Sequence, residues 1–187
     1  MSDFSQPAIR RVVDAAARKG VKLDITILDE AAPTDEEAAA LMGVELGQIV
    51  KAIVFVAPRP GGRLSPLVCL VSARDRADAG RLAAAAGEAL IRRATPAEVR
   101  GLTGFAAGGT PPFGYAHDVR VVMDQGVGRY PVVWASAGTE ESIFPVPPAT
   151  LRALAGAFVA PVAEQGWAAS ALKPETQLRL GTRQSAI

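Results

Sequence analysis

The chain has 187 residues, of which 49% are hydrophobic and 21% are charged, and its formal net charge is +1. These values predict one globular domain with a substantial core, and they exclude a disordered chain or a general nucleic-acid coat while leaving room for a local basic face. No apolar run is long enough to cross a membrane and the first residues are polar, so a soluble cytoplasmic protein is expected.

The N-terminal quarter of the chain predicts two helices with a strand between them. Apolar residues recur at helical spacing in the first helix, alternate with polar residues in the strand, and follow a capping box in the second helix. The predicted elements are a helix from Gln6 to Lys19 capped by Ser5, a strand from Val21 to Leu28, and a helix that opens at Thr34 to Glu37, runs to Met42 and stops at Gly43. Basic residues off the apolar stripe of the first helix form either a solvated face or a patch that contacts phosphates.

The next stretch, Gln48 to Ala57, is a run of apolar and mostly β-branched residues that is interrupted by one charge, Lys51. It predicts a strand covered on both faces, with Lys51 on the face that also carries Ile53 and Phe55. An ammonium in such a strand must find an anion or several acceptors, or its pKa falls. The alternative is a strand-end lysine whose stem packs while its head reaches water.

Strands and short helices alternate irregularly through the rest of the chain. The predicted strands are Pro66 to Ser72, which follows a turn at residues 58–62, Ala89 to Ala94, Val119 to Met123, Val132 to Ser136 and Ile143 to Val146; the predicted helices are Arg76 to Ala86, Pro96 to Leu102 and Leu151 to Ala155. This order predicts an α+β fold, a single domain with one mixed β-sheet flanked by helices. Periodicity is lost after Gln165, so the domain is expected over residues 5–165 and a polar C-terminal tail over residues 166–187.

The segment from Gly104 to Gly114 is rich in glycine and proline. Such a loop can bring several backbone N–H groups close to one oxygen atom, as in an oxyanion hole, or it can be a rigid connector. The only cysteine, Cys69, is expected to be buried and inert, and the only histidine, His117, is expected in a loop. A single cysteine excludes an internal disulfide, and one cysteine with one histidine argues against a structural zinc site. No metal or other cofactor is therefore expected.

Three stretches stand out by their order and spacing. They are Ile49-Val50-Lys51 at the start of the apolar strand, Gly108-Gly109-Thr110-Pro111-Pro112-Phe113-Gly114 in the loop, and Ala135-Ser136-Ala137-Gly138 at the end of a later strand. Together they resemble the YbaK/ProX family of aminoacyl-tRNA deacylases, which includes the editing domain inserted in bacterial prolyl-tRNA synthetases. The resemblance covers roughly residues 7–160 and implies a compact mixed sheet that hydrolyses the ester between a wrong amino acid and tRNA.

Carried over by position, the resemblance implies roles for eight residues. Lys51 and Gly114 are the implied catalytic residues. The implied substrate-binding residues are Gly108, Gly109, Pro112, Phe113, Ser136 and Gly138. Ala52 stands where many relatives have a threonine or a serine, which leaves the identity of the edited amino acid open.

The resemblance implies trans-editing of mischarged tRNA, with tRNA(Pro) carrying alanine or cysteine as the expected substrate and prolyl-tRNA synthetase as a further partner. Ester hydrolysis needs stabilisation of the tetrahedral oxyanion, which Lys51 or backbone N–H groups of the loop can supply. The alternative is a non-catalytic module of the same fold that binds a small molecule or an aminoacyl group. A metal hydrolase is disfavoured because histidine and cysteine are not clustered, although carboxylates can still bind a hard cation.

Overall fold

The computed structural model of the protein describes residues 6–29, 32 and 34–164. The helices are α1 (Pro7–Ala17), α2 (Asp35–Met42), α3 (Ala79–Ala86), α4 (Pro96–Thr103) and α5 (Pro148–Ala155). The strands are β1 (Thr26–Ile27), β2 (Ile49–Pro58), β3 (Leu64–Ser72), β4 (Arg92–Arg93), β5 (Arg120–Asp124), β6 (Val133–Ser136), β7 (Ser142–Val146) and β8 (Phe158–Ala160). Short 3-10 segments lie at Leu46–Gln48, Pro60–Gly62 and Gln125–Arg129. Ser5, the predicted tail and the predicted end of the domain lie outside the described residues.

The strands form one mixed sheet in the order β1-β7-β6-β2-β3-β5-β8, and β4 pairs with β2 off this path. β2 and β3 form an antiparallel hairpin that is paired at nine consecutive positions. The pairs β2–β6, β3–β5 and β5–β8 are parallel, whereas β1–β7, β2–β4 and β6–β7 are antiparallel. The predicted α+β fold with one mixed sheet is therefore confirmed.

The hydrophobic core lies on both faces of this sheet, because successive side chains of a strand point to opposite faces. On one face Val50 and Val54 of β2 belong to the same buried cluster as Ile9 of α1. On the other face Phe55 belongs to a second cluster with Leu82 of α3. None of the helices in the described ranges is long and apolar enough to span a membrane.

The helix ends follow the local signals in the sequence. Thr34 caps α2, since its hydroxyl accepts a hydrogen bond from the Glu37 amide at 3.2 Å. Gly43 ends the same helix in the left-handed region, with φ of 66°. The Thr95–Glu98 capping box opens α4 as its pattern predicts. The signals at Thr34 and Gly43 thus define both ends of α2, the helix that precedes the strand carrying Lys51.

Several predicted boundaries were wrong. The strand expected over residues 21–28 pairs only at Thr26 and Ile27, because β7 meets it only there. Asp78 caps α3, so that helix begins at Ala79 rather than Arg76. The strand expected over residues 89–94 is reduced to β4, and β8 was not predicted. The cover expected on both faces of β2 holds for residues 54–57, whereas residues 49–53 are half-buried except for Val50.

Candidate active site

The central strand β2 has a gap along one of its edges. On this edge β6 pairs with Ile49 and Val50, and β4 pairs with Phe55 and Val56. No strand of the described ranges pairs with residues 51–54 on this edge, whereas the other edge is paired with β3 throughout. We call this interruption the sheet gap.

The backbone of Ala52 faces the sheet gap. The carbonyl of Val54 accepts a hydrogen bond from the Ala94 amide at 3.0 Å, and the carbonyl of Ile49 accepts one from the Ala73 amide beyond β3 at 2.7 Å. Because N–H and C=O groups alternate between the two edges of a strand, those of Ala52 point to the same edge as Val54. Ala52 therefore offers one donor and one acceptor to any molecule bound there.

A cavity of about 790 Å³ occupies the sheet gap. Its walls come from α2, the gap residues of β2, the ends of β4 and β6, and the loop before Thr110. Its polar and charged lining includes Asp35, Glu36, Lys51, Arg93, Gly108, Thr110, Ser136 and Glu140, and its apolar lining includes Met42, Ile49, Trp134 and Ile143. The cavity thus combines an apolar wall with charges of both signs.

Lys51 lies at the centre of this arrangement and is paired with Asp35. Its ammonium donates a hydrogen bond to the Asp35 carboxylate at 2.8 Å, and both side chains are 38% exposed. Among the possibilities that the sequence left open for this lysine was an anionic partner, and α2 supplies one from its first turn. An ammonium has three N–H donors, so Lys51 retains donors for a ligand.

Gly108, Gly109 and Ser136 lie where two loops are joined. The Ser136 hydroxyl lies 3.1 Å from the Gly109 carbonyl and 3.0 Å from the Thr139 carbonyl, either of which can accept its hydrogen, and it accepts from the Gly138 amide at 3.1 Å. A Cβ added at Gly109 would lie 2.6 Å from the Thr139 Cα, which is backbone. Gly109 is therefore needed for the contact between the loops, and Ser136 fixes that contact while lining the cavity.

Gly108 differs from Gly109 because it is exposed and lines the cavity. Its amide donates to no backbone acceptor among the described residues. A Cβ at this position would overlap the carboxylate of Glu140, a flexible side chain rather than backbone. Gly108 thus presents a free N–H group close to a carboxylate.

The other four predicted site residues lie away from the cavity wall. Pro112 is buried, and Phe113 is 5% exposed with its ring 5.9 Å from that of Phe144 in the core. Gly114 has a φ of 88°, and a Cβ there would contact the backbone of α1. Gly138 has a φ of 113°, and a Cβ there would meet the backbone of Ala8. These positions favour packing of the loops against α1 and the core.

Sequence reasoning missed four charged residues of the cavity, namely Asp35, Glu36, Arg93 and Glu140. Asp35 was placed in a helix but was not identified as the partner of Lys51. Arg93 and Glu140 were not singled out, although Arg93 follows another arginine in a short strand and Glu140 directly precedes another glutamate. The only sequence signal for Arg93 and Glu140 was that each is next to a residue of the same charge. That signal does not say which residue of each pair lines the cavity.

The only cysteine and the only histidine of the chain lie outside the cavity. Cys69 is fully buried, and burial raises the pKa of its thiol to about 12, which confirms an inert thiol. His117 is exposed in a loop and does not line the cavity. The described residues contain no group of three or more histidine, cysteine, aspartate or glutamate side chains arranged to hold a metal ion.

A second cavity of about 980 Å³ adjoins the first one. The two cavities share the residues Asp35, Glu36, Lys51, Ile53 and Arg93. The second cavity continues past the ion pair toward Arg74 and Tyr130. A ligand that reaches from one cavity into the other therefore passes these shared residues, which include Lys51.

Comparison with known proteins gives consistent relatives. The family model of the aminoacyl-tRNA editing domain matches residues 29–154. The chain is 30% identical over 128 residues to the uncharacterized protein YwhH of Bacillus subtilis, which covers 68% of this chain and 78% of that protein. It is 29% identical over 115 residues to the multifunctional Ser/Thr-tRNA deacylase ProXp-y of Escherichia coli, which covers 62% of this chain and 68% of that enzyme.

A solved structure of a candidate trans-editing enzyme for prolyl tRNA synthetase is also similar. It superposes with a TM-score of 0.77 at 41% sequence identity, and the match covers 85% of this chain and 98% of that one. The match therefore extends over nearly the whole of that protein and over the part of this chain that contains the sheet gap.

Proposed function

The chain belongs to the aminoacyl-tRNA editing domain family, and we propose that it is a hydrolase that removes a small, wrongly attached amino acid from tRNA(Pro) in trans. The observation that carries this proposal is the position of Lys51. A lysine with free donors stands on the central strand at the sheet gap and lines both a cavity of about 790 Å³ and an adjoining one of about 980 Å³. A ligand with an aminoacyl end and a nucleotide chain fits two connected cavities of this kind.

The reaction breaks the ester bond between the amino acid and the ribose of the terminal adenosine. Water attacks the carbonyl carbon, negative charge develops on the carbonyl oxygen, and the ribose hydroxyl leaves with a proton. The ammonium of Lys51 and the N–H groups of Ala52 and Gly108 are donors that face the cavity and can stabilise this charge. Removing one such donor in an acyl-transfer enzyme typically lowers the rate by about 100- to 1,000-fold.

Activation of the attacking water is assigned to the substrate or to a chain of waters. His117 and Cys69 do not line the cavity, the carboxylate of Asp35 is engaged by Lys51, and the carboxylates of Glu36 and Glu140 are given no part in this step. An aminoacyl ester is already reactive, so positioning it between Lys51 and the loop can supply much of the acceleration. We therefore expect activity to survive treatment with EDTA.

Arg93 is the proposed contact for a phosphate of the tRNA 3′ end. It lines both cavities, and its guanidinium has no ion-pair partner among the residues that the structure describes. A guanidinium binds phosphate oxygens through two parallel hydrogen bonds.

The proposed amino acid is alanine, with cysteine as the second choice. Ala52 places no hydroxyl beside Lys51, and we expect the part of the cavity that holds the amino acid to select by size, at about 1–3 kcal/mol for one methylene. A thiol substrate could attack its own ester and would then need the cavity only for orientation. The E. coli relative carries serine and threonine in its name, so both belong in the test.

The test is a panel of tRNA(Pro) charged with alanine, cysteine, serine, threonine or proline at equal concentration. We expect rapid multiple-turnover release of alanine or cysteine and negligible release of proline. Fast release of proline would contradict an editing role. Saturable binding of the panel without release of any amino acid would support the alternative, a non-catalytic module that binds an aminoacyl group.

A further inference from the structure

The proposed substrate, an aminoacyl ester, carries a positively charged α-amino group that takes no part in breaking the ester bond. Its free α-amino group is largely protonated near neutral pH, since α-amino groups titrate near about 7.7–8.0. A cavity that holds such a ligand gains selectivity from an acceptor for this ammonium, because uncharged or acylated esters cannot satisfy that acceptor. This inference rests on the proposed function and concerns how the same cavity recognises its substrate.

Three carboxylates line the cavity, and they differ in what they already bind. Asp35 is paired with Lys51 at 2.8 Å. Glu36 follows it on α2 and lines both cavities, so it stands near the passage between them. Glu140 lines only the cavity in the sheet gap, and its carboxylate has no hydrogen-bond or ion-pair partner within the described ranges. Glu140 is therefore the one of these three carboxylates that has no partner among the described residues and lines only the cavity in the sheet gap, where we place the aminoacyl group.

The carboxylate of Glu140 lies directly over Gly108. A Cβ at residue 108 would overlap it, and Gly108 offers the free amide described above. The backbone beside Glu140 is fixed, because the Thr139 hydroxyl donates to the Ser142 hydroxyl at 2.9 Å and the Ser136 hydroxyl joins the two loops. The negatively charged Glu140 carboxylate and the Gly108 N–H donor thus lie next to each other on two loops that are held together by hydrogen bonds.

We propose that Glu140 binds the α-ammonium of the aminoacyl group and makes the cavity selective for esters of α-amino acids. With the ammonium on Glu140, the ester carbonyl carbon is two bonds from the bound nitrogen, and the Gly108 amide next to Glu140 can donate to the carbonyl oxygen. Glu140 is a specificity-determining residue in this scheme, and the stabilisation of the developing negative charge remains with Lys51 and the backbone N–H groups.

The test compares alanyl-tRNA(Pro) with lactyl-tRNA(Pro), in which a hydroxyl replaces the amino group. We expect the native protein to prefer the alanyl ester and Glu140→Gln to lower kcat/KM for that ester about tenfold, the size of one lost charge-assisted hydrogen bond at an exposed site. The same variant should leave kcat/KM for the lactyl ester within about twofold. Removing a negative charge should by itself favour binding of the anionic tRNA for both esters. A loss of kcat/KM for the alanyl ester alone would therefore report the contact with its amino group.

Glu141→Gln is the matched control. Glu141 carries the same charge at the next position, lines neither cavity, and contributes its backbone carbonyl as the acceptor for the Leu28 amide at 2.8 Å, which the substitution keeps. We expect Glu141→Gln to leave the ratio of alanyl to lactyl hydrolysis unchanged. Glu140→Asp, which keeps the charge on a shorter stem, should recover part of the ratio.

Three results would overturn the inference. They are equal loss for both esters in Glu140→Gln, no preference of the native protein for the alanyl ester, and an amine-dependent loss in Glu36→Gln with none in Glu140→Gln. Failure of the proposed function looks different, because then the native protein releases no amino acid from any member of the panel.

Discussion

The two edges of β2 are built from the same ten residues, but one edge is paired within the sheet and the other is partly open to the cavity. One edge is paired with β3 at nine consecutive positions, so its backbone groups are satisfied inside the sheet. The other edge pairs with β6 at residues 49–50 and with β4 at residues 55–56, and between them it leaves the backbone of Ala52 open to the cavity. Groups on the open edge can bind a ligand because the protein itself does not use them.

Neighbouring residues around the sheet gap show the same contrast. Gly108 faces the cavity while Gly109 packs on backbone. Arg93 lines the cavities while Arg92 is held by Glu98 through contacts of 2.8 and 2.7 Å. Each pair has one member free for a ligand and one that holds the fold, so substitutions at adjacent positions should separate function from stability.

The largest difference is expected for proline at residues 52 and 53. The Ile53 amide points to β3, so Ile53→Pro removes a ladder hydrogen bond from the centre of the sheet and should cost roughly 3 kcal/mol or more. Ala52→Pro removes an N–H group that only the cavity uses. It should lower the melting temperature much less and reduce deacylation more than tenfold, because a donor at the reacting group is lost. Thermal unfolding and hydrolysis of alanyl-tRNA(Pro), measured on both variants, give the comparison, and equal unfolding would show that the sheet gap is not open.

The two adjacent glycines should differ next. Alanine at residue 109 would place its Cβ 2.6 Å from the Thr139 Cα, and overpacking against backbone should cost about 3 kcal/mol, or a fall in melting temperature of roughly 6–12 °C. Alanine at residue 108 displaces only the Glu140 side chain. Gly108→Ala should therefore change stability by less than about 1 kcal/mol and still lower kcat/KM several-fold. A stable Gly109→Ala protein, or a fully active Gly108→Ala protein, would contradict this division of roles.

The smallest effects are expected for the two arginines of β4. Arg93→Gln should raise KM for tRNA a few-fold and reduce the slope of log KM against log salt concentration by about one, as expected for one lost phosphate contact. Arg92→Gln removes the same charge from the next residue, but its guanidinium is engaged by Glu98, whose pKa it lowers to about 2. That variant should keep the salt dependence of the native protein. Identical slopes for both variants would mean that Arg93 does not contact a phosphate.

The sequence predicted those parts of the site that depend on local chemistry. A charge inside an apolar run singled out Lys51, and a capping box placed Asp35 in the first turn of α2. The ion pair between them could not be predicted, because it depends on how α2 docks on the sheet. The sheet gap also escaped prediction, since it depends on β4 being two residues long and on β6 pairing with only two residues of β2.

The glycines of the loop show the same limit. Gly108, Gly109 and Gly114 belong to one motif, and nothing in their local sequence separates them. The contacts of a Cβ at each position do separate them, because residue 108 meets a side chain, residue 109 meets the next loop, and residue 114 meets α1. Which glycine faces a ligand is a property of the packed structure.

The most direct test of the central claim is to measure hydrolysis and thermal stability together for Lys51→Ala. The account predicts a loss of at least about 100-fold in kcat for alanyl-tRNA(Pro), little rescue by Lys51→Arg because the guanidinium differs in shape, and a stability change within about 1 kcal/mol because the pair with Asp35 is partly exposed. Native rates in Lys51→Ala would contradict the account, and so would a loss of activity that merely follows a loss of folded protein.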